Sequence, residues 1–490
     1  MIESNRLMKK TFIFIGLCLF SISLFAVVKH VKIVAVNDMH ANLQGVPRFA
    51  AFMDSIRGVD KNVVLLSAGD NRTGNPYNDK YNPTSKPMTM LMNELGFEAS
   101  AIGNHEFDGE IAGFRENLNN SNFPYLCANI FLPDTCRLHV YPYKIMDVGG
   151  VRLGIIGGVQ LGPIGIPDCH PDDVRGVKFK PINDVLPQYR WMREQCDVLI
   201  LLSHDGYEVD TVTARLFPYF DVILGGHTHY LSKNNEIHNG VLVTQAKNKL
   251  AYAAVVDIDV EDGKVVEKKS EIVNLSNFTG ESKHVREMVD GFYNNPELLK
   301  VISHIKTAFA TKEELANMEM DALREETSAD IAIQNGGGVR FASFPAGDFT
   351  RGDLLELDPF GNLAVVYELT GAEVESMIMN CYDLDEKQPV YVSGITYEMN
   401  IGVADNKEDV HPIDIKIKTV SGKPFSRKAI YKVVTNGYVA AILTAIDRSR
   451  GNEMNVTCSD LIEQWLMSHD SLDYSGTKRI KLNFVTPKTK

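Results

Sequence analysis

The stretch Gly103-Asn104-His105-Glu106-Phe107-Asp108 is the part of the sequence that most directly decides the fold. It follows the apolar pair Ala101-Ile102, which indicates a turn at the carboxyl end of a buried strand, where open α/β sheets bind ligands. Its side chains offer an amide oxygen, an imidazole and a carboxylate. A polar turn in which Asn104 and Asp108 only cap the next helix would read the same, because short motifs often match by chance.

Four other strand ends carry side chains of the same kind. In each, a short β-branched run is followed at once by Asp or His, and glycines in three of them let the backbone approach closely. These ends are Asp38-Met39-His40, Gly69-Asp70, Ser203-His204-Asp205-Gly206 and Gly225-Gly226-His227-Thr228-His229. Because neighbouring strands end at the same edge of a sheet, we expect these side chains to converge. Such a set favours a metal site over coincidence.

Strand-like runs alternate with amphipathic stretches through the first half of the chain, which favours an α/β domain with both sheet faces covered. Strands are predicted at 31–36, 63–67, 99–102, 151–156, 198–202, 222–224 and 241–244, and helices at 46–56, 88–95 and 182–194. A hairpin turning at Asp262-Gly263 is expected to close this domain near Asn274. The charged pattern from 282 to 326 predicts a helical linker, and a second domain of mixed strands and helices extends over 315–485.

The beginning of the chain predicts export. Arg6, Lys9 and Lys10 precede an apolar run from residue 11 to residue 28, and Ala26 is the candidate cleavage site, so residues 1–26 form a secretory signal. An uncleaved membrane anchor is the alternative, although the run is near the short limit for a bilayer span. We therefore expect a periplasmic or secreted protein with no stable membrane insertion after cleavage.

Composition restricts the possible partners. The chain has 490 residues and a net charge of −13, so it lacks the basic surface of a nucleic-acid-binding protein. An anionic substrate must then be held by metal ions or by a few arginines. Seven cysteines are present, and without Cys18 in the leader the closest pair for a disulfide is Cys127 with Cys136. The oligomeric state stays open.

The order of the five strand-end motifs resembles the calcineurin-like metallophosphoesterases over about residues 31–275. Gly-Asn-His-Glu-Phe-Asp points to the secreted 5′-nucleotidase and UDP-sugar hydrolase branch. The resemblance implies a four-layer α/β/β/α sandwich followed by a smaller α+β substrate-binding domain, and two divalent metal ions (Zn, Mn, Co or Fe). The implied ligands are Asp38, His40, Asp70 and His229 for one ion, and Asp70, Asn104, His204 and His227 for the other.

The implied chemistry is hydrolysis of a phosphate ester, with His105 as the catalytic histidine and Asp108 as its orienting partner. Two divalent ions about 3.5–4 Å apart can share one carboxylate and one hydroxide, which attacks the phosphorus in line. His105 can give the leaving oxygen a proton or a positive partner. Asp108 can fix the tautomer of His105 and raise its basicity.

A glycine-rich turn in the second half, Gln334-Asn335-Gly336-Gly337-Gly338-Val339-Arg340, combines exposed backbone N–H groups with an arginine, which suits an anion. Together with Asp358-Pro359-Phe360-Gly361-Asn362 it resembles the 5′-nucleotidase C-terminal domain. The resemblance implies that Asn335, Gly338 and Arg340 contact phosphate. It also implies that Phe360 stacks on the base and that Asn362 helps to hold the nucleoside.

The chain departs from the family at two places. Lys312-Glu313-Glu314 stands where relatives usually carry an arginine before the opening helix of the second domain. After Tyr438 the chain continues Val439-Ala440-Ala441, where the family has a Gly-Gly-Asp-Gly-aromatic stretch. We therefore expect altered recognition of the base and ribose beside a complete metal site.

The sequence predicts an exported dinuclear-metal hydrolase that releases phosphate from 5′-nucleotides or related small nucleotides. Within the same chemistry, a UDP-sugar or 2′,3′-cyclic nucleotide hydrolase is the alternative, and a relative that hydrolyses sulfur esters is another. A catalytically inactive relative that only binds nucleotides is the alternative from a different class.

Overall fold

The computed structural model describes residues 27–133, 136, 138–384, 387–403, 410–421, 423–443 and 445–485. The predicted signal segment 1–26 lies outside these residues. Within the described ranges, none of the helices combines the length and the apolar character needed to cross a bilayer.

Residues 29–274 build the first half of the molecule from short strands and helices. The strands are β1 (Lys29–Val36), β2 (Val63–Ser67), β3 (Ala99–Ala101), β4 (Tyr125–Leu126), β5 (Ile130–Phe131), β6 (Val140–Tyr141), β7 (Tyr143–Val148), β8 (Val151–Val159), β9 (Lys178–Phe179), β10 (Val198–His204), β11 (Val222–Leu224), β12 (Ile237–His238), β13 (Val241–Thr244), β14 (Tyr252–Glu261) and β15 (Lys264–Asn274). The helices are α1 (Val46–Val59), α2 (Pro76–Asp79), α3 (Lys86–Leu95), α4 (Glu110–Asn120), α5 (Ile182–Val185), α6 (Met192–Gln195) and α7 (Tyr207–Leu216).

Two sheets pack face to face in this half. The described strands order as β15-β14-β1-β2-β3-β4-β6 in one sheet and β12-β13-β11-β10-β8-β7 in the other. Their inner faces bury one apolar cluster, which includes Ile33 and Leu66 from the first sheet and Ile155 and Ile200 from the second. Separate apolar clusters fill the space between each outer face and its helices. The α/β/β/α sandwich implied by the resemblance is thereby confirmed.

Within each sheet, the strands that carry the predicted ligands run parallel to one another, although β1 also pairs antiparallel with β14. β1 pairs with β2 and β2 with β3 in one sheet, while β8, β10 and β11 pair in the other. These strands are almost entirely buried, because their apolar runs meet a partner on both faces. Parallel pairing places their carboxyl ends at one edge, which is where the five motifs begin.

Residues 283–485 form the second half, which is an α+β arrangement. Its helices are α8 (Lys283–Phe292), α9 (Lys312–Glu326), α10 (Arg351–Leu357), α11 (Gly371–Leu384), α12 (Gly437–Ile442) and α13 (Cys458–Met467). Its strands are β16 (Val301–Ile305), β17 (Ile331–Gln334), β18 (Gly347–Thr350), β19 (Leu363–Thr370), β20 (Tyr391–Ser393), β21 (Ile395–Val403), β22 (Val410–Thr419), β23 (Ile430–Asn436), β24 (Asn452–Thr457) and β25 (Ile480–Val485). In the described chain the sheets order as β20-β17-β23-β19-β24, β22-β21-β25 and β16-β18.

Three expectations differ from the structure. The linker predicted as helical over 282–326 is interrupted: α8 ends before Asn294-Asn295-Pro296, β16 follows, and a capping box at Thr311 and Glu314 starts α9. The helix predicted at 182–194 is divided into α5, a 3₁₀ turn and α6, since Pro187 lacks the N–H that a continuous helix needs.

The third difference concerns Cys127 and Cys136, the closest candidate pair for a disulfide. The six described cysteines all carry free thiols. Cys127 is buried, and its Sγ donates to Oδ1 of Asn129 at 3.2 Å. The thiol is therefore engaged inside the first half rather than facing a second cysteine.

Candidate metal centre

The five strand-end turns meet at one edge of the sandwich. Nε2 of His204 lies 3.2 Å from Oδ2 of Asp70 and 3.9 Å from Oδ1 of Asp38. Among the described residues, three groups of ligand atoms are each close enough to surround one metal ion, and Asp38, His40 and Asp70 each belong to two of them. The groups are Asp38, His40 and His229; Asp38, Asp70 and His204; and His40, Asp70 and His105.

The two remaining predicted ligands approach each other beside these groups. Nδ1 of His227 lies 3.1 Å from Oδ1 of Asn104. The backbone N–H of His227 donates to both carboxylate oxygens of Asp38, at 3.2 and 3.1 Å. All seven side chains predicted as ligands therefore gather at one place, although they are separated by as many as 191 positions between the first and the last.

The backbone at these positions is unusual. Five of the predicted ligands have a positive φ: Asp38 (49°), His40 (44°), Asp70 (52°), His227 (77°) and His229 (52°). Residues with side chains rarely adopt this left-handed conformation, and they cluster at functional sites when they do. At Gly103 any Cβ would sit 2.1 Å from Oδ1 of Asp70, so only glycine fits there.

The donor atoms fit a divalent cation. Nδ1 of His204 donates to the carbonyl of Ala68 at 2.7 Å, which leaves the lone pair on Nε2. That nitrogen is buried without a hydrogen-bond partner among the described residues, and it faces the carboxylates of Asp70 and Asp38. A lone pair directed at anionic oxygens is favourable only with a positive charge between them. Imidazole and carboxylate donors suit Zn, Mn, Co or Fe.

The electrostatics of the protein alone favour positive charge at this place. Burial lowers the pKa of His204, but the negative charges of Asp70 and Asp38 outweigh it and raise the pKa to about 10. Burial also opposes ionisation of Asp70, yet His204 and His105 hold its pKa well below the ordinary value. A divalent cation can supply the charge that a proton on His204 otherwise provides.

His105 and Asp108 form a pair next to these side chains. His105 opens the 3₁₀ turn His105–Phe107, and its Nδ1 lies 2.7 Å from Oδ2 of Asp108. Its backbone N–H donates to Oδ1 of Asp70 at 2.9 Å. Burial lowers the pKa of His105, but Asp108 and Asp70 raise it above the ordinary value overall. The turn thus holds the His105 imidazole close to the carboxylate of Asp70.

Several supporting residues were not identified from the sequence. Glu106 is fully buried and accepts hydrogen bonds from the N–H groups of Asp70 (3.0 Å), Asn71 (2.9 Å) and Gly103 (2.6 Å). It joins the turns that follow β2 and β3. The sequence shows Glu106 inside the motif, but it does not show its hydrogen-bond partners. Two of the three partners, Asp70 and Asn71, lie more than thirty positions away.

The segment after β13 supports the centre without supplying a predicted ligand. Oε1 of Gln245 accepts from Oγ1 of Thr228 at 3.1 Å and from the N–H of Tyr230 at 3.0 Å, on either side of His229. Nδ2 of Asn248 lies 3.1 Å from Nδ1 of His229. Nothing in the letters Gln-Ala-Lys-Asn distinguished this segment from an ordinary loop.

The second half of the chain faces the centre across a cleft of about 600 Å³. The five residues predicted to bind substrate all line it: Asn335, Gly338, Arg340, Phe360 and Asn362. Nη2 of Arg340 lies 3.4 Å from Nε2 of His40, and the Phe360 ring stacks on His105 with ring centroids 5.8 Å apart. Residues from both halves therefore form one site.

Other residues of the cleft were missed or left open at the sequence level. Tyr438, at the start of α12, lines the cleft, as do Asp168, Gln388 and Glu453. Asn335 also shapes its own turn, because its Oδ1 accepts from Nδ2 of Asn436 at 3.1 Å. The wall next to α12 lacks the Gly-Gly-Asp-Gly-aromatic stretch of the family, as the sequence indicates, but Tyr438 presents an aromatic ring there.

Two family models match the chain. Calcineurin-like phosphoesterase matches residues 31–231, and 5′-nucleotidase, C-terminal domain, matches residues 298–443. The chain is a calcineurin-like phosphoesterase with a 5′-nucleotidase C-terminal domain. This phosphoesterase is a metal-dependent hydrolase, and its acidic and histidine groups at the sheet edge could bind the metal.

Known relatives resemble the phosphoesterase over most of its length. The trifunctional nucleotide phosphoesterase protein YfkN of Bacillus subtilis is 26% identical over 463 residues, which cover 83% of this chain but only 31% of that protein. A 5′-nucleotidase of Vibrio cholerae is 26% identical over 441 residues, 77% of each chain. The crystal structure of a 5′-nucleotidase precursor from Thermus thermophilus has the same fold, with a TM-score of 0.81, 24% identity and coverage of 93% of this chain and 99% of its own.

Proposed function

We propose that this phosphoesterase releases phosphate from 5′-nucleotides or related small nucleotides and uses two divalent cations to do so. The main support is the cleft itself. Its first wall carries the imidazole and carboxylate donors, and its second wall carries an arginine and an aromatic ring within reach of them. A phosphate bound at the centre would have its alcohol directed along the Phe360 wall.

The proposed ligand sets are those that the resemblance to the family implies, with Asp70 in both, and their side chains lie together at the sheet edge. Asp38, His40, Asp70 and His229 hold one cation, and Asp70, Asn104, His204 and His227 hold the other. When bound, such a pair lowers the pKa of a water molecule and offsets the charge of the phosphoryl oxygens. The role of the protein is to keep these donors converged before the substrate arrives.

Arg340 and the turn at Gly338 bind the phosphate. A guanidinium presents paired N–H donors that match two phosphate oxygens. Arg340 lies beside His40, and its Cζ is 5.7 Å from the centre of the Phe360 ring, so the aromatic wall limits where the guanidinium can point. Phosphate and base are therefore held by neighbouring residues of the second half.

His105 donates a proton to the leaving ester oxygen. Asp108 engages Nδ1 at 2.7 Å, which leaves Nε2 as the nitrogen that can reach the substrate. Burial lowers the pKa of His105, but Asp108 and Asp70 raise it above the ordinary value, which favours the protonated ring that an acid needs. Asp108 consequently fixes both the orientation and the charge of the acid.

Export is part of the proposal. It is supported by the basic residues Arg6, Lys9 and Lys10 ahead of an apolar run in the first 28 residues. Cell fractionation of the full chain, with mass analysis of its amino terminus, tests it. We expect a mature protein outside the cytoplasm that begins after Ala26.

A phosphate-release screen tests the proposed activity. Protein stripped with a chelator is assayed with Mn²⁺, Zn²⁺ or Co²⁺ on AMP, UDP-glucose and 2′,3′-cyclic AMP, with metal content measured on the same sample. Free phosphate is measured for AMP, and the nucleoside monophosphate product is measured for the other two substrates, whose hydrolysis does not itself release phosphate. We expect no turnover without metal and the highest kcat/KM for AMP. Nucleotide binding without hydrolysis of any of the three substrates, under any of the metals, would contradict the proposal and favour an inactive binding protein. A higher kcat/KM for either of the other substrates would reassign the substrate class.

A further inference from the structure

Each histidine proposed as a ligand uses one ring nitrogen for the cation and engages the other with the protein. For two of them the partner is a backbone carbonyl: Ala68 for Nδ1 of His204 at 2.7 Å, and Thr73 for Nδ1 of His40 at 3.2 Å. A carbonyl only accepts, so both rings carry their proton on Nδ1 and present the lone pair of Nε2. Their tautomers are fixed by the main chain.

His227 is turned the other way. Its Nδ1 faces Oδ1 of Asn104 at 3.1 Å, so this nitrogen belongs to the cation side. Its Nε2 lies 3.3 Å from the side-chain amide of Gln160. A side-chain amide can either donate or accept, so the geometry of the ring alone does not fix the tautomer of His227.

Gln160 is firmly placed. It follows β8 directly and is only 4% exposed, and its backbone N–H donates to the carbonyl of His204 at 2.9 Å. With the amide nitrogen toward His227, Oε1 of Gln160 is buried without a hydrogen-bond partner among the described residues. Half a turn of the amide directs this oxygen to Nε2 of His227 instead, and the two orientations of an amide are assigned from such contacts.

The charge near His227 favours the same orientation. Oδ2 of Asp168 lies 3.7 Å from Nε2 of His227, beyond hydrogen-bond distance but close enough to attract an N–H group. Nδ2 of Asn104 donates to the backbone carbonyl of Asp168 at 3.0 Å, which directs the Asn104 oxygen toward His227. An N–H at Nε2 faces the Gln160 oxygen and the Asp168 carboxylate, and it leaves the Nδ1 lone pair and Oδ1 of Asn104 directed at the proposed cation.

We propose that Gln160 is a positioning residue for the second cation. Its amide oxygen accepts the hydrogen bond from Nε2–H of His227 and so presents the Nδ1 lone pair beside Oδ1 of Asn104. The inference rests on the proposed function, since it needs the cation that His227 is proposed to bind. Its specific content is that Gln160 serves only the ligand set of Asp70, Asn104, His204 and His227.

The test compares substitutions that remove or keep the acceptor. Gln160→Met has a similar length and no acceptor, while Gln160→Glu keeps an oxygen in place. Gln188→Met makes the same change at an exposed position and is the matched control. Binding of Mn²⁺ to the chelated full chain is measured by calorimetry, and thermal unfolding of the metal-free proteins reports their folding.

We expect two Mn²⁺ sites in the wild type and in Gln188→Met. In Gln160→Met one site weakens by about 10–100-fold, the usual effect of losing a group that orients a ligand, while the other stays unchanged. Gln160→Glu retains wild-type affinity at both sites. If Gln160→Met does not fold, Gln160→Asn, which retracts the amide, serves as the second lesion and shows the same selective loss.

The outcomes separate the two proposals. Fewer than two Mn²⁺ ions bound to the wild type overturns the proposed function together with this inference. Two ions in the wild type and unchanged affinities in Gln160→Met or Gln160→Asn overturn only the role of Gln160. Equal weakening of both sites, or no retention in Gln160→Glu, also overturns it, because either result means a general structural defect.

Discussion

The two walls of the cleft are built on different principles. On the first wall the proposed ligands sit at strand ends, and most of them, such as Asp38 and His204, are buried with several protein contacts each. On the second wall Arg340, Phe360 and Asn362 are partly exposed on turns. Rigid strand ends hold a fixed charge pattern, whereas turns can vary their side chains without disturbing a core. Chemistry is thus assigned to one wall and selectivity to the other.

The largest effect is expected from Asp70, which is shared by both proposed cations. Asp70→Asn removes the charge that His204 and the N–H of His105 face. We expect loss of bound metal and a fall in phosphate release of more than about 10³-fold, beyond the loss from one electrostatic contact. Metal content and turnover are measured together, with Asp54→Asn at an exposed position of α1 as control. Normal metal content in Asp70→Asn would contradict the assignment of Asp70 as a ligand of both cations.

His105 comes next, because it acts on the substrate without being a proposed ligand. His105→Ala lowers kcat by about 10²–10⁴-fold with metal retained, the usual range for acid–base assistance. The loss shrinks for an aryl phosphate, whose leaving group needs no proton. Wild-type rates, or an equal loss on both kinds of ester, would remove His105 from the acid role.

The pH dependence of an Asp108 variant gives a second test of the acid role of His105. Burial lowers the pKa of His105, and Asp108 raises it, so removing the Asp108 charge lowers that pKa. A protonated His105 is needed, so activity is present below its pKa and lost above it. Asp108→Asn therefore moves the alkaline limb of the kcat/KM profile to lower pH and reduces kcat by about 10–100-fold. A limb that stays in place would show that His105 does not titrate in the step measured.

The smallest effect tests the second wall. Phe360→Ala removes a stacking surface worth about 1–3 kcal/mol per base, so KM for AMP rises by about tenfold or more. For glycerol phosphate, which has no base, the change is much smaller. Phe484→Ala, at an exposed position, is the control. An equal loss on both esters would instead mean that the stack of Phe360 on His105 matters more than base binding.

The sequence predicted the first wall well for a physical reason. The turns after β1, β2, β3, β10 and β11 follow apolar runs, and parallel pairing makes their ends meet wherever the chain is folded as expected. A glycine at position 103 indicated that the backbone lies close to another group. The structure shows that this group is Oδ1 of Asp70. The family match confirms the fold predicted for this half of the chain.

What could not be predicted depends on contacts between distant segments. No sequence motif marks Gln160, Gln245 or Asn248. Each contacts the segment of His227 to His229, and only the fold brings that segment to it. The Asn295-Pro296 pair indicated where the helix in segment 282–326 ends. The strand β16 that follows could not be predicted, because it depends on pairing with β18. The free thiol of Cys127 likewise depends on Asn129 rather than on the spacing to Cys136.

The left-handed backbone at five proposed ligands has a consequence for heat resistance. Each such residue costs about 1–3 kcal/mol, which the surrounding sheet must offset. Replacing His229, whose side chain is partly exposed, by glycine relieves that cost and removes a proposed ligand of the cation. Such an inactive variant would unfold at a higher temperature than the metal-free wild type. The backbone conformation that positions the proposed ligands therefore lowers the thermal stability of the protein.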